Sequence, residues 1–242
     1  MTPELPAWLV PFAFGARANL ARLDLSPAGG PLLPIAGDDP AEERFHELLN
    51  RMNAHAFGGM GMPMWVQLDC GVLPSAFIGF AAHPSSLPAS LCHALGVTAN
   101  DQLVPVAEAL AVPTVVPGRW MSVSMASVLP GYGLGWRAKS MCLDAGRAVE
   151  SIGITQYDNP AIRAHLRLGA LEVLTPAVRA HSRPDITFIY RLHRTPLNQA
   201  LPSLPRPTSW IHHHDLSALH NVPAGSKIVA TDAELLGFAG PS

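Results

Sequence analysis

Three glycines at alternate positions, Gly131-Tyr132-Gly133-Leu134-Gly135, stand where an alternating stretch gives way to a helical one. No other feature restricts the fold as much. Upstream, residues 120–128 (WMSVSMASV) alternate apolar with small polar side chains, the period of a strand. Downstream, Leu134, Ala138, Met141, Cys142 and Ala145 recur on one helical face, with Gly146 as a stop. A strand feeding a glycine loop and then a helix turns backbone N–H groups and a helix N-terminus toward an anion, so a phosphate-bearing ligand is the first expectation. The chain then predicts a strand at 152–157, a turn at Asn159-Pro160, and a helix through Leu168 closed by Gly169.

Of the 242 residues, 48% are hydrophobic and only 14% charged, which predicts a large core and makes burial against a second copy, in a homodimer, an expectation to carry forward. A net charge of -2 with no basic stripe excludes a nucleic-acid platform. Cys70, Cys92 and Cys142 have no CxxC spacing, so reduced thiols are expected rather than a disulfide framework or a thiolate zinc site. The N-terminal MTPELPAWLVPFAF lacks a basic region and is broken by prolines, and no apolar run reaches spanning length. A cytoplasmic protein without membrane contact is the expectation.

Residues 1–40 are rich in Pro and Gly, which predicts a strand or short helix wrapped on the surface. A helix starts at Pro40. Asp38 or Asp39 can cap it, Glu42 and Glu43 suit its dipole, and Phe45, Leu48, Leu49 and Met52 fall at helical spacing. Residues 64–70 and 76–83 predict a two-stranded hairpin, 85–97 include a short helical piece, and 105–111 read as a helical turn. Residues 186–192 (ITFIYRL) are strongly β-prone, 195–209 read as a Pro-rich arm, and the tail predicts a strand at 226–230 and a short helix at 232–236.

Strand, glycine loop, helix, strand, Asn turn, helix ending in Gly, strand: this succession resembles the GCN5-related N-acetyltransferase (GNAT) superfamily, over 64–192 in element order and over 128–169 in motif. In that family a loop of Arg or Gln, two residues, Gly, one residue and Gly follows the fourth strand and cradles the pyrophosphate of acetyl-CoA. Here Pro130, Gly131, Tyr132, Gly133, Leu134 and Gly135 align with it, and Pro130 replaces the Arg or Gln. The dinucleotide pattern GxGxxG does not fit, since Trp136 or Ala138 falls where its last glycine belongs.

The resemblance implies a mixed α/β (α+β) fold, a mostly antiparallel central sheet with flanking helices, acyl-CoA N-acyltransferase-like, with N- and C-terminal extensions. It divides the chain into an acyltransferase domain at 1–194 and an arm with a C-terminal extension at 195–242, packed on the same domain or on a partner subunit. It implies acetyl-CoA or another acyl-CoA as co-substrate and a small-molecule or peptide amine as acceptor. The implied cofactor contacts are Met125, Ser127 and Val128 at the strand end, Gly131, Tyr132, Gly133, Leu134 and Gly135 in the loop, Trp136 and Arg137 in the first helical turn, and Asn159. Arg137 and Lys139 are also read as phosphate-reaching or exposed helix charges. His165 stands where the family has the Tyr that protonates the departing thiolate, which makes it the candidate catalytic acid.

On the strand before the loop Ser122, Ser124 and Ser127 stand where a general-base Glu is sought, leaving Asp69 or His83 through water, or bulk solvent, to take the amine's proton. Pro130 and His165 also motivate a second reading, a catalytically silent acyl-CoA-binding domain. A third draws on His212, His213, His214, Asp215 and His220, whose side chains are of metal-ligating type. Three consecutive histidines cannot face one way on a strand or helix, so no metal is expected.

Overall fold

The computed structural model describes residues 5–27, 30–59, 75–178, 183–193, 199 and 203–240. It divides into two compact units, one from Met1–Pro113 and Ser124–Arg147, the other from Thr114–Val123 and Ala148–Ser242. Each is a mixed α/β unit built on mostly antiparallel strands, the fold class expected.

The first unit contains β1 (Leu9–Gly15), α1 (Arg17–Leu20), β2 (Leu33–Ala36), α2 (Glu43–Ala56), β3 (Ala76–Ala82), α3 (Ala89–Leu95) and β4 (Val104–Pro113). It also holds the second half of β5 (Arg119–Ser127) and α4 (Leu134–Ala145). Its strands lie in the order β2-β1-β3-β4-β5. β1 is parallel to β2 and antiparallel to β3, which is antiparallel to β4.

Two expectations are corrected here. The N-terminal segment is not a surface wrap: Phe12, Ala13 and Phe14 of β1 are buried and β1 pairs with β3 from Leu9↔Ala82 to Ala13↔Ile78. Residues 105–111 are not a helical turn but the middle of β4, a strand buried over Val104–Ala111. A strand covered on both faces shows no alternation, and its alanines mimic helix composition.

Helix α2 forms as its sequence predicts. The Asp39 carboxylate accepts the Ala41 N–H at 3.0 Å, Pro40 opens a single 3-10 turn, and Phe45, Leu48, Leu49 and Met52 face the core. Phe45 meets Phe12 edge to face at 5.0 Å between ring centroids, and Phe14 meets Phe77 at 5.7 Å. Of the expected hairpin, 76–83 contains β3, whereas 64–70 lies outside the described residues.

The second unit contains the first half of β5, β6 (Glu150–Gln156), α5 (Ala161–Leu166), β7 (Leu171–Thr175), β8 (Thr187–His193), β9 (Ser209–His212), α6 (Leu216–His220), β10 (Lys227–Thr231) and β11 (Leu235–Ala239). Its strand order is β5-β6-β8-β7-β10-β11-β9. The parallel β5–β6 ladder runs from Arg119↔Glu150 to Ser122↔Gly153, while β6 stays paired with β8 as far as Gln156↔Thr187.

Tyr157 stacks on Phe188 at 4.2 Å, anchoring the end of β6 to β8. The expected helix at 232–236 is instead a turn into β11: the Asp232 carboxylate accepts the N–H groups of Glu234 and Leu235, which commits the chain to reverse. Strand β10 pairs with β7 through Lys227↔Glu172 and Ile228↔Leu171, so the tail extends this unit's strands. Among the described residues, no helix is long and apolar enough to cross a membrane.

Candidate functional site

In the first unit β5 ends at Ser127, whose hydroxyl lies 3.2 Å from the Leu129 carbonyl and 3.4 Å from its N–H. Two glycines then take left-handed backbone, Gly131 at φ 88° and Gly133 at φ 65°. Gly133 is the N-cap of α4, so that helix begins without a side-chain cap. A methyl on Gly133 would stand 2.5 Å from Trp136 Nε1, so glycine is required there on two counts. With glycine at the N-cap, no capping side chain among the described residues takes the N–H groups of the first turn, the groups that a helix start offers to a ligand or water.

The side chains around the loop divide cleanly. Leu134 and Trp136 are buried, and a Cβ on Gly135 would touch Met125 Cγ at 3.3 Å, so these residues fasten the turn to β5. Tyr132 is exposed on the loop and packs edge-on against Trp8 at 5.6 Å. Arg137 is not an exposed helix charge; it is buried, with its guanidinium carbon 5.0 Å from the Trp136 ring, and burial holds its pKa below the usual arginine range. Lys139 is buried as well, and loss of hydration pulls its pKa down to about 7. Val128 donates its N–H to Val106 of β4 at 2.9 Å, which occupies one of the strand-end groups.

The first unit also holds a carboxylate that sequence reasoning missed. Glu108 of β4 has no solvent exposure, and it accepts hydrogen bonds from Asn53 Nδ2 of α2 at 3.3 Å and Ser124 Oγ of β5 at 3.0 Å. Burial pushes its pKa up to about 8 against the smaller pull of these two donors. The available signal was a single acid inside VPVAEALAVP. Of the other bases considered, His83 is exposed with Nδ1 3.0 Å from Ser85 Oγ, and Asp69 lies outside the described residues.

In the second unit the Asn159 side chain builds the turn itself. Its Oδ1 accepts the Ala161 N–H at 2.8 Å and its Nδ2 donates to Thr155 Oγ1 at 3.0 Å, tying the end of β6 to the start of α5. Gly169 follows α5 where a Cβ would meet the His193 carbonyl oxygen at 2.7 Å. His165 is 5% exposed, and its Nε2 lies 3.3 Å from the Tyr190 hydroxyl, itself fully buried and held far above the usual phenol range by loss of hydration. Ser122 hydrogen-bonds Tyr190 and lies 2.8 Å from Ser151 Oγ, which extends the network across β5 and β6.

A pocket of about 200 Å³ opens beside the Asn159 turn, lined among others by Tyr157, Asp158, Asn159, Arg163, His213 and Asp232. The structure thus brings the Asn turn and the histidine run to one place within this unit. Asp158 is paired with Arg183 at 3.0 Å, and the His212, His213 and His214 rings pack within 4.4 to 5.4 Å of one another. Among the described residues, no group of three or more His, Cys, Asp or Glu is arranged to hold a metal ion.

Between them the units realise the succession read from the sequence: β5, glycine loop, α4, β6, Asn turn, α5 closed by Gly169, then β7. No protein-family model and no curated protein matches the chain. Solved structures similar to it include a GNAT-family protein from Desulfovibrio desulfuricans (16% identity, 61% of this chain and 91% of that one, TM-score 0.40). Another is nourseothricin acetyltransferase (12%, 50% and 66%, TM-score 0.34). A third is a chain of the NatC complex bound to Gag peptide and CoA (12%, 65% and 95%, TM-score 0.42). Likeness at this level transfers no residue role and no activity.

Proposed function

We propose that the protein binds acetyl-CoA or another acyl-CoA and transfers the acyl group to an amine. The observation that carries this reading is the loop ahead of α4. Left-handed Gly131 and Gly133 lead into a 12-residue helix with no N-cap side chain, a turn that any residue larger than Gly at position 133 would strain and press into the Trp136 ring. In this reading the backbone N–H groups of Leu134, Gly135 and Trp136 hold the pyrophosphate, and the strand end at Met125, Ser127 and Val128 holds the arm that carries the thioester. A bound acyl-CoA supplies an activated carbonyl. The chain supplies position, hydrogen-bond donors and an exit for protons. One well-placed donor to the developing oxyanion is worth about 3 kcal/mol, so backbone groups alone can carry much of the acceleration.

Calorimetry with acetyl-CoA tests the reading directly. The expected result is saturable binding that Gly133→Val weakens at least 10-fold; no heat of binding at millimolar ligand from the parent protein would sink it. His165 is the acid candidate carried from the sequence, and its burial against Tyr190 favours a second reading in which the same fold binds an acyl-CoA without turnover. Replacing His165 by Phe separates the two. Lost turnover with intact acetyl-CoA binding supports the acid role, whereas a parent that binds acetyl-CoA yet acylates no member of a broad amine panel supports the silent reading.

A further inference from the structure

We propose that Glu108 is the proton acceptor for the amine and that it works through Ser124, a hydroxyl relay from β5 to a carboxylate sealed inside β4. The inference rests on the acyl-transfer reading and adds the base that reading lacks. Ser124 Oγ donates to Glu108 Oε2 at 3.0 Å, and Ser124 is itself half-buried, so one side of the hydroxyl meets the carboxylate while the residue retains access to the outside. Asn53 Nδ2 fixes the other oxygen, Oε1, at 3.3 Å. Both partners are neutral. Among the described residues Glu108 has no cationic partner; a carboxylate buried in that way costs stability, and Gln at 108 would satisfy the same two sites without that cost, so an ionisable group here needs a reason beyond packing.

The step balances simply. As the amine nitrogen bonds to the acyl carbon and the carbon–sulfur bond breaks, the amine N–H proton passes to Ser124 Oγ and the Ser124 hydroxyl proton passes to Glu108 Oε2. Ser124 ends unchanged, Glu108 ends as the neutral acid, and the departing thiolate takes its proton from the acid of the reading above or from water. Because burial lifts Glu108 to about 8, the relay accepts protons only as pH rises through that value. Among the described residues, Glu108 meets Asn53 from α2, Ser124 from β5, its cross-strand partner Gly79 from β3, and from α4 Cys142, whose thiol senses its charge, one turn beyond Lys139. Lys139 is pulled down to about 7 and Cys142 is pushed well above the usual thiol range, both by burial.

The test is the pH profile of kcat/KM with acetyl-CoA and the best amine of a panel, on the full chain, with circular dichroism and acetyl-CoA calorimetry as controls for folding. The expected result is a rise with pH through about 8 in the parent and a loss of at least 100-fold together with that limb in Glu108→Gln, the usual scale for removing a general base. Ser124→Ala should lose as much, and Ser124→Thr, which keeps a hydroxyl, should restore most of it. A role in packing alone would leave the limb in place in Ser124→Ala and give Ser124→Thr no advantage, and either result overturns the relay. Retained kcat/KM in Glu108→Gln, or acetyl-CoA binding with no turnover by the parent, overturns it too. Absence of acetyl-CoA binding by the parent is a different failure, that of the acyl-transfer reading on which the relay stands.

Discussion

Glu108 holds a proton in the folded chain that it would release in the unfolded one over most of the neutral range. Its pKa rises from 4.5 to about 8 on folding, so between these values the native state binds the extra proton and stability falls as pH rises, by at most about 1.4 kcal/mol per unit. The contribution is fully present below 4.5 and gone once pH has passed the folded value. Glu108→Gln should therefore flatten the decline of unfolding free energy between about pH 4.5 and 8, measured by urea titration at several pH values. Gly133→Ala should cost about 1–2 kcal/mol in the same assay, since its left-handed backbone and the Trp136 contact both reject a methyl. The two residues differ in how visible they were. The glycine announced itself because positive φ and close approach demand a particular residue type. Glu108 did not, since an acid in an apolar run carries no mark of the Asn and Ser that reach it from 55 residues before and 16 after.

At the scale of elements, local rules succeeded where a segment meets water on one side. Helix α2 has a capping Asp39, Pro40 in its first turn and an apolar stripe, and it stands where they placed it. The same end shows what they leave out: Arg44 Nε and Nη2 pair with both Asp101 oxygens at 2.8 and 2.9 Å, and Nη2 also reaches the Gly96 carbonyl, clamping α2 to the loop after α3. The guanidinium holds the Asp101 carboxyl well below its usual range. A depressed acid pKa gives stability above the unfolded value that is lost as pH falls toward the folded one. Asp101→Asn should thus cost roughly 1–2 kcal/mol at pH 7, discounted for an Arg44 side chain that is 37% exposed, and the gap to the parent should narrow below about pH 4. Strand β4 failed the same rules because burial on both faces removes the alternation that identifies a strand.

Across the whole molecule, reading from sequence reached least far into residues 209–239, where it placed the strand that is β10 but not β9, α6 or β11. Strands β9, β10 and β11 and helix α6 continue the second unit beyond β7, burying Leu219, Ile228, Leu236 and Phe238. Truncation after residue 208 would leave the β7 edge unpaired and those apolar positions empty. The truncated chain should unfold at least 5 °C lower and scatter light on heating, a consequence of an open strand edge. The histidine run is recast by the same packing. His212 ends β9, His213 lines the pocket beside Asn159, and Asp215 caps α6 through the Ala218 N–H at 3.0 Å.

By itself the sequence determined the strand, glycine loop and helix at 119–145, the Asn turn at 159 and the capped helix at 43–56, because each rests on backbone constraints and periodicities that a dozen residues can encode. Only the tertiary structure decided that residues 9–15 are core, that 104–113 are a strand, and that His165 faces Tyr190. It alone joined Glu108 to Asn53 and Ser124. Such pairings depend on which distant segments share a buried space, and burial, which sets the cost of a charge and the value of a hydrogen bond, is a property of the packed chain rather than of any local stretch.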